Sequence, residues 1–347
     1  MSVEEVLLRP KEAEIKELNK LVINNEVELQ YIENFIFSSN NARLIYLCGK
    51  HIEWINMGRV AHALSNTLDD YYILEYAHYI QDLKDIPEEQ KKTILKELGK
   101  GMVRCKPTFR AYYYARDILY APIDNLASTL SKSNDATYIF YMLRDLGDRL
   151  QAESKEKLER RVIELNDSRN IVFVANIASE GTINEFGKSL LNAKKTELYA
   201  VHLCMFLSEH KIEDKELKSK IIEAIMQSGD YRRIINLLKS TDDVPYMEII
   251  DHILSENDNA KNPDFWISYI IPLALCVKPC SGYATDKIIE SNNAEVITIT
   301  IYYIENDELR AKLQEALDRI PNLEQEYKKT NLQEKVIARV REIKKED

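Results

Sequence analysis

The sequence predicts an all-α protein in which helical hairpins of about 30 residues stack in series as an α-solenoid. Glycine and proline are scarce, with 9 residues of each in a chain of 347, whereas globular proteins average about 7% glycine. Glu, Lys, Leu, Ile and Ala, which favour helices, are abundant. A short polar motif also recurs at intervals that accommodate two helices. Composition and repetition together favour helices over sheets.

The recurring motif, here called the cap motif, is a three-residue turn that ends in Asn or Asp. In most copies the motif begins with Ser or Thr, and an apolar residue follows the Asn or Asp by four positions. A short side-chain oxygen at this place accepts a hydrogen bond from an unpaired backbone N–H in the first turn of a helix. We therefore predict helix N-caps at, or within two residues of, Asn41, Asp69, Asp135, Asp167, Asp230 and Asn293.

Each interval between cap motifs is expected to hold two helices. After Asn41, the apolar spacing predicts one helix over residues 42–52 and a second over 53–64. The same reasoning predicts helix pairs over 136–150 and 154–165, and over 168–177 and 182–191. Less regular units are expected to begin at Pro107–Thr108 and near Asn192–Thr196. The residues expected to face the core of the first hairpin are Leu44, Ile45, Leu47, Cys48, Ile55, Val60, Ala61 and Leu64.

The pattern predicts a single repeat domain with a cap at each end. Residues 1–30 are interpreted as an N-terminal helical cap, residues 31–321 as the solenoid of seven to nine hairpins, and residues 322–347 as a polar C-terminal capping helix. The segment 296–304 is rich in β-branched residues, which favour strands. We predict a helix there because the cap at Asn293 precedes it.

An Asn or Asp that opens a first helix, with a second helix returning behind it, resembles the HEAT-like α-solenoid repeat superfamily. The resemblance extends over residues 30 to 304. The chain departs from the usual short HEAT repeat because it lacks a regular Val-Arg pair and an Ala-Leu-Gly ending. The resemblance implies stacked hairpins with a concave face that binds a partner, and it also permits nucleic-acid enzymes such as DNA glycosylases.

Charge and cysteine usage indicate a soluble cytoplasmic protein. The formal net charge is −10, which disfavours nucleic acid and anionic lipid and suits a basic partner. The N-terminus is acidic and lacks the basic start and apolar run of a signal peptide. No apolar run is long enough to span a bilayer. The five scattered cysteines are expected to be reduced thiols: Cys48, Cys105, Cys204, Cys276 and Cys280.

The sequence shows no recognisable catalytic or metal-binding constellation. Gly187-Lys188-Ser189 ends like a phosphate-binding loop, but the preceding glycine is one position too far away. Glu75-Tyr76-Ala77-His78 matches the Glu-x-x-His of di-iron helical bundles, which require a second copy that this chain lacks. We therefore predict no catalytic residue, no metal and no cofactor, and a protein that is not an enzyme.

One basic segment stands out in the acidic chain. No Asp or Glu lies between Lys100 and Arg116, and aromatic residues are interleaved with the basic ones. Such a mixture is typical of surfaces that bind phosphates and bases. It also fits a solvated helix face whose basic side chains are balanced by acidic residues in adjacent repeats. The candidate surface for an anionic ligand or a partner comprises Lys100, Arg104, Lys106, Arg110, Tyr112, Tyr113 and Arg116.

The leading functional prediction is a non-enzymatic scaffold or adaptor that binds a protein partner on the concave face of the solenoid. An intracellular inhibitor or immunity protein that blocks a basic protein would be a special case. The alternative is a nucleic-acid-binding HEAT-like protein, such as an enzyme resembling DNA glycosylases. That alternative would use the basic segment together with Asp117.

Overall fold

The fold is helical throughout the part of the chain that the structure describes. The computed structural model describes residues 11–23, 29–178, 180–231, 233–235, 244–255 and 261–321. Within these ranges the chain forms α-helices, short 3₁₀ turns and one π turn, and no β-strand. The prediction of an all-α fold is confirmed. The predicted C-terminal capping helix, 322–347, lies outside the described residues.

Contacts between helices divide the chain into two compact units, Met1–Thr182 and Ile183–Asp347. Short 3₁₀ turns in the first unit cover Gly147–Arg149 and Glu180–Thr182. The described α-helices of this unit are α1 Glu12–Ile23, α2 Leu29–Ser38, α3 Ala42–His51, α4 Met57–Thr67, α5 Asp70–Asp82, α6 Glu88–Arg104, α7 Phe109–Asp117, α8 Ile123–Leu130, α9 Ala136–Leu146, α10 Ala152–Leu165 and α11 Ser168–Ala175.

The second unit is also helical in its described part. Its described α-helices are α12 Ile183–Asn192, α13 Tyr199–Glu209, α14 Lys215–Met226, α15 Tyr246–Ser255, α16 Pro263–Phe265, α17 Ile271–Cys276, α18 Ser281–Glu290, α19 Ala294–Tyr303 and α20 Asp307–Asp318. A π turn, Trp266–Ile270, joins α16 to α17, and a 3₁₀ turn, Lys278–Cys280, precedes α18. No single helix in the described ranges is long and apolar enough to cross a membrane. Two consecutive helical segments, Pro263–Leu275 and Lys278–Glu290, are long and apolar enough only when taken together, and the chain bends by 105° between them.

The cap motif forms the same hydrogen-bonded turn in four of its copies, each of which begins with Ser or Thr. The Ser39 hydroxyl donates to the carbonyl of Ile36 (2.8 Å) and accepts from the N–H of Asn41 (3.2 Å), whose side chain accepts from the N–H of Leu44 (3.1 Å). One hydroxyl thus ends a helix while the following Asn starts the next. The turns at Thr67–Asp69, Ser228–Asp230 and Ser291–Asn293 repeat all three bonds.

All six predicted N-caps are confirmed. The side chain of each capping residue accepts a hydrogen bond from a backbone N–H two or three positions later. The residue before the cap is in the left-handed conformation in five copies, which ends the preceding helix and turns the chain. These residues are Asn40, Leu68, Asn166, Gly229 and Asn292, with φ from 50° to 67°.

The helices of the first unit form two rows. In one row α3, α5, α7, α9 and α11 contact one another in chain order, and in the other α4, α6, α8 and α10 do the same. Each helix from α3 to α11 also packs against its neighbour in sequence. The residues predicted to face the core of the first hairpin are all buried. Side chains from both rows therefore share one apolar core.

Several helix boundaries differ from prediction by up to four residues, and local capping explains where the second helix begins. The second helix begins at Met57 rather than at residue 53, because the Asn56 side chain accepts a hydrogen bond from the N–H of Arg59 and sets the N-cap. Helix α9 ends at Leu146, and the 3₁₀ turn after it covers the rest of the predicted helix. The β-branched segment does form a helix, α19, as predicted, and its N-cap is Asn293.

Candidate functional site

Arginine and aromatic side chains form a continuous cluster along the row of α5, α7, α9 and α11. We call this cluster the arginine–tyrosine face. Successive members lie within ring-stacking, cation–π or hydrogen-bond distance across the helix boundaries. Its residues are Tyr71, Phe109, Arg110, Tyr112, Tyr113, Arg116, Tyr138, Phe140, Tyr141, Arg144, Arg169 and Phe173.

Arg110 connects α5 with α7. Its guanidinium carbon lies 4.6 Å from the ring centre of Phe109 and 5.4 Å from that of Tyr71, close enough for cation–π attraction. The same guanidinium is 3.4 Å from a carboxylate oxygen of Asp70. The hydroxyl of Thr108, which caps α7, donates to that carboxylate. The capping hydroxyl of α7 therefore helps to position the Asp70 carboxylate of α5.

Arg116 and Tyr112 connect α7 with α9. The Tyr112 hydroxyl donates to a carboxylate oxygen of Asp145 (2.5 Å) and accepts from Arg116 (3.2 Å). Arg116 also makes a two-pronged ion pair with Asp117, at 2.6 and 2.9 Å, and lies 4.8 Å from the ring centre of Tyr113. Such forked pairs fix the plane of a guanidinium. Arg116 is therefore held beside its aromatic neighbours.

Arg144 continues the pattern on α9. It binds both carboxylate oxygens of Asp145, at 2.6 and 3.1 Å, and lies 4.8 Å from the ring centre of Tyr141. On α11, the Phe173 ring lies 5.5 Å from the Phe140 ring and under the guanidinium of Arg169. The face thus carries one or two arginines on each of α7, α9 and α11.

The pKa shifts on the arginine–tyrosine face have clear physical causes. Hydrogen bonds from Arg144 and Tyr112 lower the pKa of Asp145, in opposition to its partial burial. Burial raises the pKa of Tyr112, and so does its hydrogen bond to Asp145. The ion pair with Asp117 raises the pKa of Arg116. At neutral pH Arg116 is therefore cationic, Asp145 anionic and Tyr112 neutral, so these neighbouring groups balance one another.

Exposure varies along the arginine–tyrosine face. The side chain of Tyr112 is buried, and its ring is part of the core, whereas Phe109 and Tyr71 are exposed, Tyr71 by 45%. Tyr113 and Tyr138 are half-buried. The face therefore offers an amphipathic, preformed surface rather than a deep cavity.

The structure separates the seven residues of the predicted basic surface into two groups. Lys100 and Arg104 lie on α6, where Lys100 is 3.1 Å from Glu97 and Arg104 donates to the Ser65 carbonyl (3.0 Å). Lys106 is exposed in the turn that follows. The remaining four lie together on α7 and belong to the arginine–tyrosine face: Arg110, Tyr112, Tyr113 and Arg116.

The basic segment by itself does not indicate the residues of the arginine–tyrosine face that lie on other helices. Tyr71, Arg144 and Arg169 lie on other helices, and so do two of the paired aspartates, Asp70 and Asp145. A signal did exist, because Tyr71, Arg110 and Arg169 each follow an N-cap residue by two positions. Alignment of the helices on their N-cap residues would have placed these side chains at the same position of each helix.

The arrangement serves binding better than covalent chemistry. No group of His, Cys, Asp or Glu within the described residues is placed to hold a metal ion. Burial raises the pKa of Cys48 to about 12 and that of Cys105 to about 11, so these thiols stay protonated and poorly nucleophilic. Comparison with known protein families and with curated proteins gave no match to this chain.

Proposed function

We propose that this protein is a non-enzymatic scaffold or adaptor that binds a protein partner through the arginine–tyrosine face. In this proposal the two rows of helices in the first unit are a stretch of HEAT-like α-solenoid, in which each hairpin buries its apolar side against the next. The packing of α3, α5, α7, α9 and α11 in chain order supports that arrangement. A row of equivalent helices would display equivalent positions along one surface.

The observation that carries the proposal is that Arg110, Arg116 and Arg144 are each fixed between aromatic rings and a carboxylate. Tyr and Arg are enriched among the residues that dominate binding energy at protein interfaces. Side chains that are already ordered lose little conformational entropy when a partner binds. A preformed row of such residues is what a protein-binding surface requires.

Charge suits a basic protein partner. The chain has a formal net charge of −10, and the arginines of the face are largely neutralised by Asp70, Asp117 and Asp145. A positively charged partner would be drawn by the field of the whole chain, while the face supplies the close contacts. An inhibitor or immunity-type binder of a basic protein is a special case of this proposal.

Nucleic-acid binding is the second candidate, because exposed aromatic rings beside arginines can stack on bases. The exposed members Tyr71 and Phe109, with Arg110 between them, favour this candidate. The ion pairs argue against it, since arginines already matched by aspartates attract phosphate weakly. The protein-binding function is therefore placed first.

The two candidates differ in how binding responds to salt. We expect labelled single-stranded DNA, duplex DNA and RNA to bind weakly at physiological salt when measured by fluorescence anisotropy. A nucleic-acid protein would instead bind tightly at low salt, with a log–log salt slope of about −0.9 per phosphate contact on duplex DNA. Combined Arg104→Glu, Arg110→Glu and Arg116→Glu substitutions would then abolish binding.

A matched variant controls for the change in net charge. Arg160, Arg310 and Arg319 are exposed arginines that do not belong to the arginine–tyrosine face, and replacing all three by Glu changes the net charge equally. Sub-micromolar, salt-dependent affinity that is lost only in the Arg104, Arg110 and Arg116 variant would overturn the proposed function and favour the second candidate.

A further inference from the structure

A pocket of about 330 Å³ lies between the end of α9, the 3₁₀ turn that follows it, and α10. Its apolar lining includes Leu143 and Ile177, and one of its polar lining residues is Glu159 on α10. Glu159 is only 7% exposed, and among the described residues no side chain forms a hydrogen bond or close ion pair with its carboxylate, although the charge of Lys155 attracts it. A buried carboxylate therefore faces this pocket without a hydrogen-bonding side chain.

A carboxylate that is largely shielded from water is unfavourable when no donor in the protein replaces the lost water. The cost is visible in the raised pKa of Glu159, whose main cause is burial. A buried group of this kind is retained at a stability cost when it has a ligand to bind, in the same way that perturbed carboxyls mark binding and catalytic clefts. The pocket supplies the room for such a ligand.

The charges around the pocket favour a cation. Glu159 and Asp148 contribute negative charge and Lys155 contributes positive charge. The fourth charged lining residue, Arg144, is already neutralised by its two-pronged pair with Asp145. The lining therefore retains one more negative charge than positive charge.

We propose that this pocket binds an ammonium or guanidinium group, with Glu159 as its anionic partner. The aliphatic stem of the ligand would pack against Leu143 and Ile177, and the charged head would donate hydrogen bonds to the carboxylate. The ligand is either a free alkylamine or the side chain of a lysine or arginine in another protein. This proposal does not depend on the proposed function, although Arg144 lines the pocket and also belongs to the arginine–tyrosine face.

A competing explanation is internal. Lys155 precedes Glu159 by four residues on α10, a spacing at which helix ion pairs form. In that case Lys155 would occupy the pocket and satisfy Glu159, and no external cation would be required. The unmodified protein separates the two explanations, because it binds an added cation only if Lys155 leaves Glu159 free. The variant Lys155→Met, which keeps the length of the side chain and removes its charge, should bind the cation in either case.

The test is titration of the full-length protein with butylammonium and with blocked lysine (N-acetyl-lysine-N-methylamide), followed by NMR of the glutamate side-chain carboxyl groups. Neutral butanol serves as the isosteric control. We expect the Glu159 signal to shift with both cations and not with butanol. We also expect Glu159→Gln to weaken binding by about tenfold or more, and Lys155→Met to strengthen it.

The control variant is Glu156→Gln, which removes an exposed carboxylate one turn earlier on the same helix. It should leave cation affinity within about twofold of the unmodified protein. Preference for butylammonium would identify a free amine as the ligand, and preference for blocked lysine a protein side chain. Equal binding of the cations and butanol, equal binding by Glu159→Gln, or loss of binding in Lys155→Met would overturn the proposal.

Discussion

A Cβ atom added to Gly101 on α6 would lie 2.7 Å from the Cα of Ser65 on α4. At this point the two helices approach almost to backbone contact, and the Ser65 hydroxyl donates to the carbonyl of Glu97 (2.9 Å) one turn before Gly101. Ser65 is fully buried. The close approach requires a residue without a side chain at 101 and a small one at 65, so that the second row of helices can pack tightly.

Replacing Gly101 by Ala should therefore destabilise the protein. Alanine gains about 1 kcal/mol of helix propensity over glycine, but the added methyl group would collide with backbone and force α4 and α6 apart, at a cost of about 1–3 kcal/mol. We expect a net loss of stability in urea denaturation. The control is Gly282→Ala on α18, where an added Cβ meets no atom within 4 Å. A Gly101→Ala protein as stable as this control would contradict the packing argument.

The cap motif makes a second prediction. The Asp135 side chain accepts a hydrogen bond from the N–H of Thr137 (3.0 Å) at the start of α9. Asp135→Ala should lower the free energy of unfolding by about 1 kcal/mol because that N–H loses its partner. Asp135→Asn keeps the acceptor and should recover most of the loss. If thermal or urea denaturation shows both variants equally destabilised, the side chain does not act as a cap.

Leu68 is the one bulky side chain at the left-handed position of the cap motif, with φ at 55° and 48% of its surface exposed. A left-handed backbone costs a branched residue about 1–2 kcal/mol, and Asn tolerates it better. Leu68→Asn should therefore raise the unfolding free energy by about 0.5–1 kcal/mol. Leu119→Asn, at a similarly exposed position outside the left-handed region, should not. Equal effects at both positions would rule out backbone strain as the cause.

The burial of Glu159 makes the free energy of unfolding depend on pH. Its pKa in the folded protein is raised by burial, so between the ordinary glutamate value of about 4.3 and that raised value the folded state binds more protons than the unfolded state. The contribution of Glu159 to stability therefore falls as the pH rises through this window. The charged groups that face or influence it are Arg144 and Asp148 from the α9 side, and Lys155 and Glu156 on α10.

Glu159→Gln should accordingly be more stable than the unmodified protein at pH 7, because glutamine carries no charge to bury. The difference should shrink towards zero below about pH 4, where glutamate itself is protonated. Thermal denaturation across this pH range measures the effect, with Glu156→Gln as the control that lacks it. A variant less stable at pH 7, with no change on acidification, would show that the carboxylate is satisfied in the folded protein.

Local signals in the sequence predict much of the fold. The six caps follow from short-range hydrogen bonding, and the buried faces of the first hairpin follow from apolar spacing. The start of α4 was missed because Asn56, a lone cap without the preceding serine, outweighed the apolar pattern that begins at residue 53. Helix ends depend on such single side chains, which periodicity does not register.

The candidate site was harder to predict than the fold. The four members on α7 lie close in sequence, so composition identified them. Their partners Asp70, Asp145 and Tyr71 are supplied by other helices, and only the packing of those helices brings them near. The sequence does not reveal the burial of Glu159 for a related reason, because α10 contains many other charged residues from which its pattern does not distinguish it.

The most direct test of the account is site-specific photo-crosslinking in the native host. A photoreactive phenylalanine analogue would replace Tyr71 or Phe109 on the arginine–tyrosine face, and, as control, Tyr302 on α19, which is 64% exposed. We expect one discrete protein adduct when the analogue is at position 71 or 109 and none when it is at position 302. Replacement of Arg110 and Arg116 by Ala should abolish that adduct. Adducts to nucleic acid, or the same protein adducts at all three positions, would contradict it.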